Sequence, residues 1–318
     1  SSLAGIFAMK YETQVPVKNA FKALKNSKVV SVIASRDFNI TPGMVENKFA
    51  VKPKWLEYPE IQERLQLSTE EYEAEGAACA SVSRDGIVPL AECVKNADVV
   101  ITVGGDGTIL HTASVSAKAG VPLVGINLGK VGYMAEIEPD ELSLLDRLFD
   151  KNYTSEKRML LDAKVIRNGK TVFTAIALND AVISRGGKLR MSNITLYESD
   201  KRICDYVTDG LIFATPTGST AYNLSAGGPI TDPDLDCIIS TPICAHSLSN
   251  SRPIVFNPKA KLRCVINTDN EAYFSADGGE EFILKKNDEI EVGKSLLELD
   301  LIKLKEGSFY GKLAEKLR

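Results

Sequence analysis

The sequence predicts an α/β N-terminal domain, a parallel sheet covered by helices, followed by a mainly β C-terminal domain, with the active site between them. Three observations carry this expectation. Apolar runs and helical stretches alternate through the first half, the βαβ rhythm of a parallel sheet. Near Pro139 the character changes and strand patterns dominate. Within the first region, "VVITVGGDGTILHTAS" (99–114) runs from five consecutive β-branched residues through three glycines into a helical pattern.

Taken in order, "LAGIFAM" and "KVVSVIAS" are expected strands, with "VKNAFKALKN" helical between them. The stretch 36–58 has no period and is expected to be irregular, while "EIQERL" and "TEEYEAEGAACA" are helical. "PLAECVKNA" leads into the strand Val99–Val103, the helix after it is expected to start with Thr108 as N-cap, and "VPLVGINLG" is a further buried strand. "PDELSLLDRLFDK" is an expected core helix with Leu142, Leu145 and Leu148 at helical spacing. "AKVIRNGKTVFTAIA" is a hairpin turning at Asn168-Gly169, and two long β-patterned segments follow. The tail offers a strand and a short basic helix. The expected domains are 1–140 (α/β, with the glycine turn), 141–295 (β-rich) and 296–318, returning to the first domain.

At 318 residues the chain is long enough for two cores. Hydrophobic content of 44% with 25% charge places it among ordinary globular proteins, and a net charge of −4 with scattered lysines argues against nucleic acid or a membrane surface as partner. Six cysteines form no C-x-x-C pair, so they are expected as reduced thiols, and two histidines make a histidine-based zinc site unexpected. The longest uncharged run, 210–231, is rich in Gly, Pro, Ser and Thr and is no membrane span. "SSLAGIFAMK" lacks a basic stretch before its apolar residues, so the expected compartment is the cytoplasm.

The glycine turn invites a phosphate. Gly104, Gly105 and Gly107 let the backbone approach a ligand, and the N–H groups at the start of the following helix, up to Thr108, point outward with partial positive charge. Asp106 is out of place beside an anion unless it meets a hydroxyl or a metal. Neither G-x-x-x-x-G-K-[ST] nor G-x-G-x-x-G is present, so the turn belongs to neither common phosphate signature. "TDGLIFATPTGSTAYNLSAGGPI" (208–230) combines Asp209 with hydroxyls at Thr215, Thr217, Ser219, Thr220, Tyr222 and Ser225 among apolar neighbours. Buried hydroxyls need partners, and a polar ligand would supply them. In "LNDAVISRG", Asn179 donates and accepts in one plane, as a carboxamide ligand requires, and Asp180 accepts from sugar hydroxyls or an amide.

"GGDGT", "LNDAVISRG", "DGLIFATPTGSTAYNLSAGGPI" and "PICAHSLSNSRPIV", in this order, resemble the NAD kinase family, densely from about 97 to 256. The first stretch is also similar to diacylglycerol, sphingosine and 6-phosphofructo-kinases. The resemblance implies transfer of the γ-phosphoryl of ATP, with Mg²⁺ or another divalent cation, to the 2′-hydroxyl of the adenosine ribose of NAD, giving NADP. Some relatives accept polyphosphate, and relatives form homodimers or homotetramers through the β domain. Position by position, Asp106 matches the aspartate that takes the 2′-hydroxyl proton, and Gly107 its neighbouring contact. Asn179 and Asp180 match the pair that holds NAD, Arg190 a cationic or histidine position after it, and Asp209 an aspartate contacting the dinucleotide. Thr220, Ala221, Tyr222, Asn223, Leu224 and Ser225 match the loop around the nicotinamide end. No metal ligand is assigned.

The chain departs from the family pattern at several points. Val207 stands where relatives often carry arginine, Gly279 follows Asp277-Gly278 where glutamine is frequent, and alanine precedes His246 in place of proline. Asp277 is therefore expected only to make a hairpin turn, without ligand contact. His111 either reaches phosphate or lies on a helix surface, His246 packs a loop, and Lys130 is a loop cation near a strand end. Two rival functions remain, a lipid kinase of the same superfamily and a non-catalytic NAD or NADP sensor. The polar loop at 215–229 speaks against the first, and Asp106 against the second.

Overall fold

The structure, a computed structural model, describes residues 4–7, 30–33, 80–83, 86–95, 97–127, 132–138, 140–187, 190–246, 251–307 and 309–316. The helices expected at 17–26 and 60–65, the helix expected at 69–80 apart from its last residue, the irregular stretch 36–58 and Lys130 lie outside the described residues, and Ala80 is in a strand and not in the expected helix. The chain divides into two compact units, Ser1–Glu156 with Leu299–Arg318, and Lys157–Glu298.

In the first unit, β1 (Ala4–Phe7) and β2 (Val30–Ile33) are parallel neighbours. β3 (Ala80–Ser83) and β4 (Gly86–Pro89) pair antiparallel, a hairpin where the sequence predicts none. After α1 (Leu90–Lys95) come β5 (Val100–Gly104), α2 (Asp106–Ala119) and β6 (Leu123–Asn127). The parallel order is β2-β1-β5-β6, with Val100 opposite both Ala4 and Leu123. All five residues of β6 are buried, as a parallel strand covered on both faces requires, and Ile109, Ala113 and Ala117 put one face of α2 into the core.

The expected helix over 139–151 is instead a 3₁₀ turn, Leu142–Leu145, running into the one-turn α3 (Asp146–Phe149). Its leucines recur every three residues, which is the 3₁₀ period, so the spacing fits the tighter turn equally well.

The second unit is built from antiparallel strands. β7 (Thr154–Arg167) carries the chain into it and turns into β8 (Lys170–Ala177) through Asn168 (φ 52°) and Gly169 (φ 73°), both left-handed as a two-residue hairpin turn demands. Then follow β9 (Asp180–Arg185), β10 (Ser192–Glu198), β11 (Lys201–Thr208), β12 (Gly210–Ala214), a 3₁₀ turn at Thr217–Thr220 and the single-turn α4 (Tyr222–Ser225). β13 (Ile238–Ile243), β14 (Ile254–Phe256), β15 (Leu262–Ile266), β16 (Ala272–Ala276) and β17 (Phe282–Leu284) precede the long β18 (Glu289–Lys303).

One sheet has the order β14-β13-β12-β9-β16-β17, and β10 joins β11 to β15, which pairs with the start of β18. Alternate residues of these strands, among them Leu161, Ala163 and Val165 of β7, Ile194 and Leu196 of β10, Leu211 and Phe213 of β12 and Phe274 of β16, share one hydrophobic core. The end of β18 returns to the first unit, where Leu301 lies beside Leu123, and α5 (Phe309–Lys316) follows. Cys204, Cys237, Cys244 and Cys264 are free thiols, and no helix among the described residues is long and apolar enough to cross a membrane.

Candidate active site

Two constellations of polar side chains stand out, one in each unit. In the first, β5 ends at Gly104 and α2 begins at once. The N-cap is Gly105 and not Thr108, which lies inside the first turn with its N–H on the Gly105 carbonyl at 3.0 Å. Glycine serves as cap here because it opens the extended backbone into the helix with no side chain in the way. Thr108 instead lays its side chain against Gly104, so a Cβ on Gly104 would fall 2.2 Å from its Oγ1. Of the amides expected to cradle phosphate, that of Thr108 is therefore already engaged.

Asp106, the first residue of α2, does not cap its own helix. Its Oδ2 accepts the Tyr133 N–H at 2.8 Å and its Oδ1 the Met134 N–H at 3.1 Å. The segment that holds it passes so close that a Cβ on Gly132 would lie 2.1 Å from Asp106 Oδ1. Glycine is required there by proximity. Burial, and then the charge of Asp106, raise the pKa of the Tyr133 phenol. The sequence singled out Asp106 but not Gly132, Tyr133 or Met134. The glycine was the available signal.

In the second unit, Asn179 and Asp180 sit at the entry to β9 and are both buried. The carboxylate of Asp277, in the β16–β17 turn, accepts the N–H groups of Leu178 (2.7 Å), Asn179 (2.8 Å) and Asp180 (3.1 Å). In return the Asp277 N–H donates to the Asp180 carbonyl. Asp277 does make a turn, with φ 51° ahead of Gly278 at 65°, but its side chain also fixes the Asn-Asp pair, a role the sequence did not assign. Burial, and behind it the charge of Asp277, push Asp180 up to about 7. Burial likewise raises Asp277, against the pull of its three N–H donors. From the other side the Asn179 carbonyl accepts the Thr215 N–H, and a Cβ on Gly218 would come within 2.0 Å of that same carbonyl oxygen. The loop after β12 thus packs backbone to backbone against the Asn-Asp pair.

The row of hydroxyls expected to face a ligand divides in two. Thr215 donates to the Leu178 carbonyl and accepts from Gly218, and Ser219 exchanges hydrogen bonds with the backbone of Thr231. Asn223, expected to contact a ligand, is fully buried: its amide donates to the carbonyls of Ser219 and Pro229, and its oxygen accepts from Thr241 at 2.6 Å. These groups are the internal frame of the loop, and their polar atoms are satisfied by it. Thr220, Ala221 and Leu224 are half-buried, while Tyr222 and Ser225 are exposed on the loop's outer side.

Asp209, between β11 and β12, forms an ion pair with Arg185 at 2.8 Å, and the backbone of Arg185 donates to the Asp209 carbonyl. Val207 is exposed on β11, and the cation beside the aspartate comes from the end of β9 instead. Arg185 belongs to the LNDAVISRG stretch, but nothing in its sequence neighbourhood points to Asp209 as its partner. Arg190 is exposed ahead of β10, and among the described residues no contact joins it to Asn179 or Asp180. His111 is exposed on α2, and His246 is exposed with its N–H on the Val207 carbonyl.

This fold is shared with solved kinases. It superimposes on yeast NADH kinase complexed with NADH with a TM-score of 0.73, at 23% identity over 99% of this chain and 87% of that one. An NAD kinase from Archaeoglobus fulgidus in complex with ATP gives a TM-score of 0.66, at 22% identity over 100% and 99%. In sequence, residues 57–153 match the ATP-NAD kinase N-terminal domain and 178–304 the ATP-NAD kinase C-terminal domain. An NAD kinase of Symbiobacterium thermophilum is 40% identical over 81% of this chain and 92% of its own, and one of Desulforamulus reducens 38% identical over 78% and 86%. The chain belongs to the NAD kinase family, a family of phosphotransferases.

Proposed function

We propose that the chain transfers the γ-phosphoryl group of ATP to the 2′-hydroxyl of the adenosine ribose of NAD, giving NADP. The observation that carries this reading is the placement of Asp106. Its carboxylate stands at the mouth of the phosphate turn with one lone pair of each oxygen held by a backbone N–H, leaving the others for a hydroxyl. Phosphoryl transfer asks for positioning and charge neutralisation more than covalent chemistry. The backbone of Gly104, Gly105 and Gly107 cradles phosphate oxygens at the positive end of the helix, while Thr108, its N–H engaged by Gly105, shapes the turn. Asp106 orients the 2′-hydroxyl and takes its proton as the ribose oxygen bonds to the γ-phosphorus and the bond to the β,γ-bridging oxygen breaks, releasing ADP.

Asn179 and Asp180 hold NAD, in the geometry that Asp277 imposes on their backbone. Asp209, steadied by Arg185, contacts the dinucleotide, and residues 220–225 form the wall of its nicotinamide end with Tyr222 as the aromatic face. Arg190 supplies a cation at the rim, and Asn223 acts by holding the wall in shape. Among the described residues no three His, Cys, Asp or Glu side chains gather into a metal cage. A divalent cation such as Mg²⁺ would be held mainly by the phosphates of ATP, with Asp106 the carboxylate of the turn that could take part. When bound it neutralises charge on the transferring group. We place the enzyme in the cytoplasm as a homodimer or homotetramer, with polyphosphate as the alternative donor.

The test is NADP formation by the purified protein with NAD, ATP and Mg²⁺, run beside Asp106→Asn. NADP from the parent, its loss in the variant and unchanged NAD binding by calorimetry are the expected results. Near-parental turnover by Asp106→Asn would remove Asp106 from the chemistry. NAD binding without turnover from ATP or polyphosphate would indicate a sensor, and no NAD binding would turn the search to lipid acceptors.

A further inference from the structure

Asp106 is aimed by the N–H groups of Tyr133 and Met134, so whatever fixes that segment fixes the carboxylate. On one side it is anchored to the sheet: the Glu136 N–H donates to the Gly125 carbonyl and the Asn127 N–H to the Ile137 carbonyl, both at 2.8 Å. On the other it is gripped by residues 303–312. The buried Glu136 carboxylate accepts the N–H groups of Leu304 (2.9 Å) and Lys305 (3.2 Å) and the Lys303 ammonium (2.9 Å). The α5 helix adds two contacts nearer to Asp106. The Phe309 ring lies 6.4 Å from that of Tyr133, and the Lys312 ammonium donates to the Ala135 carbonyl at 2.8 Å.

A lysine is an expensive choice for tying down one carbonyl. Taking an ammonium out of water costs several kcal/mol unless it is well paired. Burial, and then the neighbouring charges of Lys303 and Lys305, lower the Lys312 pKa, while the charges of Glu136 and, last, Asp106 work against the fall. The cation thus stands in the field of the acidic side chain whose holding segment it binds. A neutral amide would hold the carbonyl as well but would bring no charge.

We propose that Lys312 is a positioning residue for phosphoryl transfer: from α5 it fixes the Ala135 carbonyl, and with it the Tyr133–Met134 amides that aim Asp106 at the acceptor hydroxyl. This rests on the role given to Asp106 above. It assigns α5 a part in turnover, acting through a segment that touches Asp106 and not through NAD.

The experiment uses the full chain with Lys312→Met, Lys312→Arg, Asp106→Asn and the double variant Lys312→Met/Asp106→Asn. Lys312→Met is expected to lower kcat roughly 10- to 100-fold, the scale of a carboxylate displaced by about 1 Å, with KM for NAD within about 3-fold of the parent. Lys312→Arg restores kcat to within about 5-fold, because a cation and donor return. Against the Asp106→Asn background, Lys312→Met adds no further loss, the signature of two residues acting on one step. Parental kcat in a folded Lys312→Met protein, or an additive loss in the double variant, would overturn the proposal. If Lys312→Met fails to fold, Phe309→Leu loosens the same segment through Tyr133 and is read in the same way. The two readings fail separately. High turnover in Asp106→Asn alone removes the base, whereas a dead Asp106→Asn beside an unaffected Lys312→Met removes only the role of Lys312.

Discussion

Asp277 holds the backbone of Asp180 and also disturbs its side chain: it accepts the Asp180 N–H at 3.1 Å while its charge adds to the burial that pushes the Asp180 carboxyl up to about 7. In the unfolded chain Asp180 returns to its ordinary value near 3.8, so between that pH and 7 the folded state holds the proton more tightly. Stability from this group is full below pH 3.8 and is lost as pH rises through 7. The burial-raised Asp277 acts in the same direction. Asp180→Asn is expected to flatten the decline in melting temperature between pH 5 and 8. At pH 8 it should exceed the parent in stability by roughly 1–3 kcal/mol. A parent whose melting temperature rises over that range would contradict this account of the pair.

Gly132 and Asp106 occupy nearly the same space. Gly132→Ala puts a methyl group 2.1 Å from Oδ1 and 2.6 Å from Cγ, so the carboxylate must swing away. The expected cost is about 1–3 kcal/mol in stability and on the order of 100-fold in kcat. Steady-state kinetics beside a denaturant titration separates the two effects. A variant with parental kcat would mean that the aim of the carboxylate is irrelevant.

Asn223 is expected to show itself as a structural residue. Asn223→Ala leaves the Thr241 hydroxyl and the carbonyls of Ser219 and Pro229 without their partner in a buried site. A loss of about 2–4 kcal/mol follows, read as a lower urea midpoint. If stability is unchanged while NAD binding collapses, Asn223 contacts the dinucleotide directly.

The Arg185–Asp209 pair is expected to matter for binding more than for folding. Both side chains are about one-third exposed, at 27% and 32%, so Arg185→Ala is worth at most about 1 kcal/mol of stability. Released from its cation, Asp209 loses a fixed position. KM for NAD should rise about 3- to 10-fold, which corresponds to about 1 kcal/mol. An unchanged KM would detach this pair from dinucleotide recognition.

Features fixed by neighbours in the chain were legible from sequence. The Asn168-Gly169 turn needs two left-handed residues in a row, and the strand-to-helix turn at 104–106 needs small ones. Features fixed by distant partners were not. Asp277 accepts N–H groups 97 to 99 residues away, and beside two glycines it looks the same as any hairpin aspartate. Thr215, Ser219 and Asn223 advertise hydrogen-bonding capacity, but a sequence does not say whether a ligand or the loop's own backbone will use it. Thr108 is a good cap by type, and three adjacent glycine and aspartate positions moved the start of the helix ahead of it. Arg185 was hidden for a similar reason, since its partner Asp209 arrives from the distant junction of β11 and β12.

The first unit is closed by a segment made long after the strands and helix it completes. Glu136 waits 168 residues for the Leu304 amide, and Ala135 waits 177 for Lys312. Through that interval the growing polypeptide holds a buried-type carboxylate without its lysines and an Asp106 whose holding segment is clasped on one side only. The second unit, whose strands lie between, can form during synthesis from sequence already made. Synthesis from the N-terminus thus makes the whole segment that carries Asn179 and Asp180 before the contacts behind Asp106 can exist, so the aim of that carboxylate is among the last features of the fold to be set.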